Sequence, residues 1–246
     1  MTAVRDARAA AVLVNVTRAL DELCEATGRI SLDVIDLGGG SGVFAVPLAE
    51  AGHRVTVVDP SPDALATLSR RAAESEASVR VSGVQGDAAG LVSLVGAASV
   101  DAVLCHGLLE IVDDPAAALA AAAACLRPGG LCSVVAAQRY AAVIAKAMAG
   151  QLADARRLLD DPDGRWGASD PLPRRFDEAG LVALLTEAGL AVEAIRGVRV
   201  LADVVARNVL DEPGDAAALA ELELAAAAEP ALRSMAAALH ILARRS

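Results

Sequence analysis

Between residues 33 and 137, short runs rich in β-branched residues alternate with stretches of helical spacing, and no other feature restricts the fold so tightly. The run opening at Asp33 and those at 53–59, 79–84, 100–106 and 131–137 read as five strands. Residues 43–51, 61–76 and 115–126 read as helices among them, and 4–25 as a leading helix that stops at Gly28. Parallel neighbours need a crossover between them, so this order predicts a parallel sheet with helices on both faces.

The last third changes character. Residues 180–188 read as a short helix closed by Gly189, 191–200 as a strand and 239–244 as a final strand. Residues 138–176 and 202–234 are too long for turns and are expected to form helical cover elements over the ligand edge of the sheet. A chain of 246 residues and 24.8 kDa has room for one α/β domain with a full core, taken as 1–246.

No stretch of membrane-spanning length is free of charge, and no secretory signal is visible, so the expected location is the cytoplasm. Cys24, Cys105, Cys125 and Cys132 stand apart among apolar neighbours, which predicts buried free thiols and no metal site. A net charge of −10 opposes broad attraction to nucleic acid, though not a local basic patch.

The sequence DVIDLGGGSG places Asp36 at the end of the first strand, then Gly38, Gly40 and Gly42 at alternate positions. Bare backbone there lets a ligand approach closer than any Cβ would allow. A dinucleotide turn has its third glycine one residue later, where this chain has Val43, so the spacing favours the nucleoside part of S-adenosylmethionine. Asp59 closes the second strand, where a carboxylate can accept from both ribose hydroxyls or simply start the turn DPSP. Asp87 can accept from an adenine amino group or cap the turn that follows it. His106 ends the fourth strand, as a cofactor contact, an acid or base, or a packed histidine.

VIDLGGGSG, VTVVDPS, the Gly86–Asp87 pair, CHGLLEIVDDP and LRPGG, in that order, resemble the class I S-adenosylmethionine-dependent methyltransferases. That resemblance implies a Rossmann-like α/β fold: a seven-stranded, mostly parallel sheet with an antiparallel last strand, helices on both faces and helical cover elements. AAQRYAAVIAKAMAG, PLPRRF, GVRVLAD and LHILARR are similar to the tRNA 5-carboxymethoxyuridine methyltransferase group and extend the likeness over nearly the whole chain. The likeness implies Gly38 and Gly39, with Asp36 and Gly40 in the same turn, at the methionine end of S-adenosylmethionine. It also implies Asp59 on the ribose, Asp87 and Ala88 on the base, His106 beside the cofactor, and Arg8, with Arg5 as fallback, on the methionine carboxylate.

Methyl transfer from a sulfonium is an in-line displacement that depends on alignment. A carboxylate acceptor needs no general base, only cations to hold it. Arg199 and Arg174 fall in segments that the resemblance points to, and Tyr140 and Gln138 follow the fifth strand closely enough to orient an acceptor. Arg199 has a competing partner four residues on, Asp203, and Arg174 has a competing role as a solvated charge. Arg156, Arg157, Arg165, Arg174 and Arg175 concentrate positive charge in one cover element, which could seat tRNA or an acidic small molecule. The resemblance thus implies a methyltransferase that O-methylates a carboxylate, with the 5-carboxymethoxyuridine of tRNA as first candidate substrate, and a metabolite methyltransferase is the alternative reading. A nicotinamide-dependent oxidoreductase is more remote, because Val43 and LRPGG count against it.

Overall fold

The computed structural model describes residues 2–205 and 214–246, with the side chains of 2–8, Glu76 and Ala77 outside the description. Seven strands, β1 (Asp33–Leu37), β2 (Arg54–Asp59), β3 (Val81–Gln85), β4 (Val100–His106), β5 (Leu126–Ala137), β6 (Leu190–Val198) and β7 (Ala238–Arg245), form one sheet. Their order is β3-β2-β1-β4-β5-β7-β6. β1 pairs in parallel with β2 and β4, β2 with β3 and β4 with β5, while β7 runs antiparallel to both neighbours, β5 and β6. The expected parallel sheet with an antiparallel last strand is therefore what forms.

Ten α-helices accompany the sheet among the described residues: α1 (Thr2–Thr27), α2 (Ala45–Glu50), α3 (Pro62–Ala73), α4 (Leu91–Val95), α5 (Pro115–Cys125), α6 (Arg139–Met148), α7 (Leu152–Asp160), α8 (Glu178–Glu187), α9 (Asp215–Ala228) and α10 (Pro230–Arg233). Local chemistry sets several starts. Ser61 and Asp114 cap α3 and α5 by accepting from Ala64 N and Ala117 N, each helix carries proline at its first position, and Asp177 caps α8 from Gly180 N. LRPGG, which spans the gap between the predicted helix and fifth strand, lies inside β5. Val100 pairs with Leu126 and Ala102 with Leu131, so its extra residues are absorbed as a bulge.

Alternation along the strands divides the core into two layers. Val34, Val57, Leu104, Val135 and Leu242 pack beneath α1, α2 and α3, whereas Ile35, Val58, Val103, Val134 and Ile241 pack beneath α5 and α8. At the amino ends of the strands, buried Asp101 accepts from Arg29 and Arg127 at 2.7 and 2.8 Å and from Asp33 N at 2.8 Å. Asp33 in turn accepts from Arg54 Nε at 2.8 Å. Burial pushes the Asp33 carboxyl upward, but bonds from Arg54 and Arg29 and the charge of Arg127 hold it below its ordinary range. That network ties one end of the sheet together and leaves the other end for chemistry.

Candidate functional site

β1 ends under a turn in which Gly38, Gly40 and Gly42 have φ of +72°, +55° and +76°. These are left-handed conformations that side chains rarely adopt. A Cβ on Gly39 would collide with the Asp36 carboxyl, so glycine there is what allows the carboxyl to lie beneath the turn. Asp36 is 1% exposed, and neither of its oxygens has a partner among the described residues. Burial first, and then the charge of Asp59, raises its pKa to about 7.

Asp59 accepts from Gly40 N and Ser61 N, both at 2.9 Å, and so fixes the turn to the tip of β2. Each oxygen keeps a second lone pair free for a ligand hydroxyl. The pairings Asp36 with Val57 and Leu104 put Asp36, Asp59 and His106 on one face at the carboxyl ends of β1, β2 and β4. Asp87 is exposed and accepts from Gly90 N at 2.9 Å, so it caps its turn with one oxygen and offers the other; Ala88 is buried beside it. His106 meets Ser133 Oγ at 2.8 Å and packs edge-on against Phe44 with 4.4 Å between ring centroids. The side chains of Arg8 and Arg5 lie outside the described residues.

This edge fits a nucleoside-bearing cationic ligand. It offers a backbone cradle, a ribose-height carboxylate and an orphaned buried carboxyl that a nearby positive charge would satisfy. Such a rim lies at the reversal of strand order, where ligands of open α/β sheets bind.

Beyond the tips of β5 and β6 lies a cavity of about 290 Å³. Its walls are mainly apolar, from Ala141, Ile144, Ala145, Met148, Val200 and Met235, with Gln138, Arg175, Arg199 and Asp203 supplying polar groups. Gln138 is 3% exposed and donates through Nε2 to Arg233 O at 2.8 Å, which leaves its Oε1 buried without a partner among the described residues. Arg199 pairs with Asp203, while its Nε is likewise buried and unpartnered. The backbone of Arg199 has φ +58°, a conformation that costs about 1–3 kcal/mol. Glu223 of α9 holds it there by accepting from the next three backbone amides, Val200, Leu201 and Ala202.

The other residues expected to hold an acceptor lie elsewhere. Arg174 gives its guanidinium to the carbonyls of Leu109, Val112 and Asp113, which pins the cover element to the loop after β4. Tyr140 is 41% exposed on α6 and does not line the cavity. The expected arginine island is also largely neutralised. Arg156 pairs with Asp160, Arg157 with Asp154, and buried Arg175 forks onto Asp170 at 2.7 and 3.0 Å. Trp166 is covered by Lys146 at 3.9 Å and Arg175 at 4.5 Å, so it offers no free face for base stacking on those sides.

A larger cavity, about 600 Å³, lies along β1, β2 and β3 and includes Asp33, Arg54, Val79 and Arg80. Leu94 and Val95 of the five-residue α4 also line it, with Ser99 and Val100 at the start of β4. Among the described residues no cluster of His, Cys, Asp or Glu could hold a metal, and no helix is long and apolar enough to cross a membrane. Sequence reading passed over Phe44, Ser133, His240 and Glu223. No local signal marks them, since each acts on a residue far away in the chain.

Sheet order and rim together define a Rossmann-like methyltransferase, and sequence comparison gives the family. A methyltransferase-domain family model matches residues 35–134, and the chain belongs to the S-adenosylmethionine-dependent methyltransferases. It is 30% identical over 184 residues to the tRNA 5-carboxymethoxyuridine methyltransferase of Escherichia coli K12, covering 75% of this chain and 69% of that protein. It is 34% identical over 166 residues to the ubiquinone biosynthesis O-methyltransferase of Xanthomonas axonopodis pv. citri, covering 67% of this chain and only 64% of that protein's length. Among solved structures, an S-adenosylmethionine-dependent methyltransferase of Methanosarcina mazei superposes with a TM-score of 0.61 at 19% identity, covering 88% of this chain and 93% of that one. Magnesium protoporphyrin IX methyltransferase of Synechocystis PCC 6803, with bound S-adenosylhomocysteine, also gives 0.61, at 16% identity over 98% of this chain and 86% of that one. S-adenosylmethionine is the cofactor.

Proposed function

We propose that the chain methylates an oxygen of a small, largely apolar acceptor seated beyond β5 and β6. The cavity carries this reading. Its walls are apolar, and its two orphaned polar atoms are of opposite kind, an acceptor at Gln138 Oε1 and a donor at Arg199 Nε. A hydroxyl, which both donates and accepts, satisfies the two together, whereas a carboxylate would meet Gln138 Oε1 with like partial charge.

On the cofactor side, Gly38, Gly39 and Gly40 would give the methionine end close backbone contact, with Asp36 beneath. Asp59 would hold the ribose hydroxyls, Asp87 and Ala88 the base, and His106 the flank at β4; Arg8 stays a candidate for the methionine carboxylate. When bound, S-adenosylmethionine supplies a methyl group activated by positive sulfur. The chain's own task is alignment: the β1 turn fixes one reactant, Gln138 and Arg199 the other, and α6 keeps water from the walls between. The oxygen–carbon bond forms as the carbon–sulfur bond breaks, and the hydroxyl proton passes to water.

A second reading, methylation of a carboxylate on tRNA, is favoured by the longer reach of the likeness to the E. coli enzyme. Arg199 would then face the anion. The paired arginines and the net charge of −10 weigh against it. Incubation with methyl-labelled S-adenosylmethionine, a small-metabolite extract and, separately, tRNA lacking the methyl ester decides between them. Label is expected in the metabolite fraction and to be lost in Gln138→Leu. Label confined to tRNA would sink the small-acceptor reading.

A further inference from the structure

β3 is one edge of the sheet, and β2 is the strand that it pairs with. Val55 N donates to Arg80 O and Gly86 N donates to Asp59 O, so the even-numbered residues of this strand turn their backbone groups toward β2. By alternation the N–H and C=O groups of Val81, Gly83 and Gln85 point outward, where no strand takes them among the described residues. The opposite edge, β6, is guarded: Glu193 and Arg196 lie within it, and its register shifts between Val192 and Ala194. β3 reads VSGVQ, with no charge, no proline and an unbroken register.

An antiparallel strand exchanges two hydrogen bonds with its neighbour wherever two such outward residues stand opposite one another. A second β3 does so most fully with Gly83 opposite Gly83 and Val81 opposite Gln85. That two-fold register uses all three outward residues of each copy, and any other leaves one of them idle within the strand. The side chains agree with it. A Cβ on Gly83 would lie 3.1 Å from Leu65, so this half-buried leucine of α3 stands over the two-fold axis beside its own copy. On the other face Leu94 stands against Gly86 at the end of the strand, and the register brings the exposed Val79 of the second copy to that end. Exposed Arg80 falls opposite Gly86 and next to Asp87 of the other copy, so unlike charges are neighbours at both ends of the pair.

We propose that the chain forms a two-fold dimer through antiparallel pairing of β3 with β3 of a second copy, which continues the seven strands of each into one sheet. Backbone bonds and the apolar pair at the axis hold the contact, and the end charges set its direction. This rests on the sheet edge and not on the identity of the acceptor.

Sedimentation equilibrium of the full chain over roughly 1–200 μM should show monomer passing to dimer. Gln85→Pro removes an outward N–H and no bond to β2, and Ser82→Lys sets a charge on the exposed face of the edge. Each should raise the dissociation constant of the dimer at least about tenfold, with thermal melting of the dilute protein reporting that the fold persists. A chain that stays monomeric throughout that range, or a dimer that neither substitution weakens, overturns the proposal. Growth beyond the dimer, the mark of an edge that pairs without a fixed register, overturns it as well.

Discussion

Asp36 is an ionisable group in a place that resists ionisation. Its carboxyl titrates near 7 in the folded chain, against about 3.9 when unfolded. Between those values the folded state keeps a proton that the unfolded state releases. The stability contributed by protonated Asp36 is therefore fully present below the unfolded pKa and is lost as pH rises through about 7, a change of up to about 4 kcal/mol. Urea denaturation of the ligand-free protein should show this decline, and Asp36→Asn should flatten it; equal pH dependence in both would remove the assignment. Asp59 makes a sharper contrast with Asp87. Because Asp59 binds two backbone amides of the rim and Asp87 caps an exposed turn, Asp59→Ala should weaken S-adenosylmethionine binding roughly 10- to 100-fold in calorimetric titration, and Asp87→Ala only about threefold. Both aspartates were legible in the sequence, since a strand end and a neighbouring glycine turn are local signals. Gln138 was only half legible: its place after β5 was visible, but its orphaned oxygen depends on Arg233, 95 residues away.

Among the elements, α9 has a task that its sequence hides. It is a largely exposed, alanine-rich helix whose Glu223 gathers three amides from the loop after β6, and so holds Arg199 in its unfavourable backbone conformation. Glu223→Gln replaces a two-oxygen acceptor by one and should lower methyl transfer at least about tenfold while leaving cofactor affinity within about twofold. Parallel losses in both would place α9 at the cofactor rim instead. The Arg199–Asp203 pair was readable as neighbours four apart, whereas its clamp was not, because Glu223 lies more than twenty residues downstream. The bulge in β5 eluded the sequence for a related reason. Proline and two glycines signal a stop locally, and only pairing with β4 turns them into part of a strand.

Across the whole molecule the two ends of the sheet divide their work. The amino end is closed by Asp101 with Arg29 and Arg127, and the carboxyl end carries the rim. Removing the charge of Asp101 leaves two guanidiniums short of a partner, so Asp101→Asn should cost about 2–4 kcal/mol in chemical denaturation without changing S-adenosylmethionine affinity under folded conditions. A matching loss of affinity would mean that the two ends are coupled. The parallel sheet and the glycine turn could be anticipated because alternation and glycine spacing are written in contiguous residues. The fate of the arginines could not, since their carboxylate and carbonyl partners emerge only when the cover element folds on itself.

One consequence concerns how the chain comes into being. β6 touches the sheet solely through β7, which follows it some forty residues later, so during synthesis it leaves the ribosome with no neighbour to join. Glu193 and Arg196, placed within that strand, give the waiting segment charges that discourage pairing with another nascent copy until its own partner arrives.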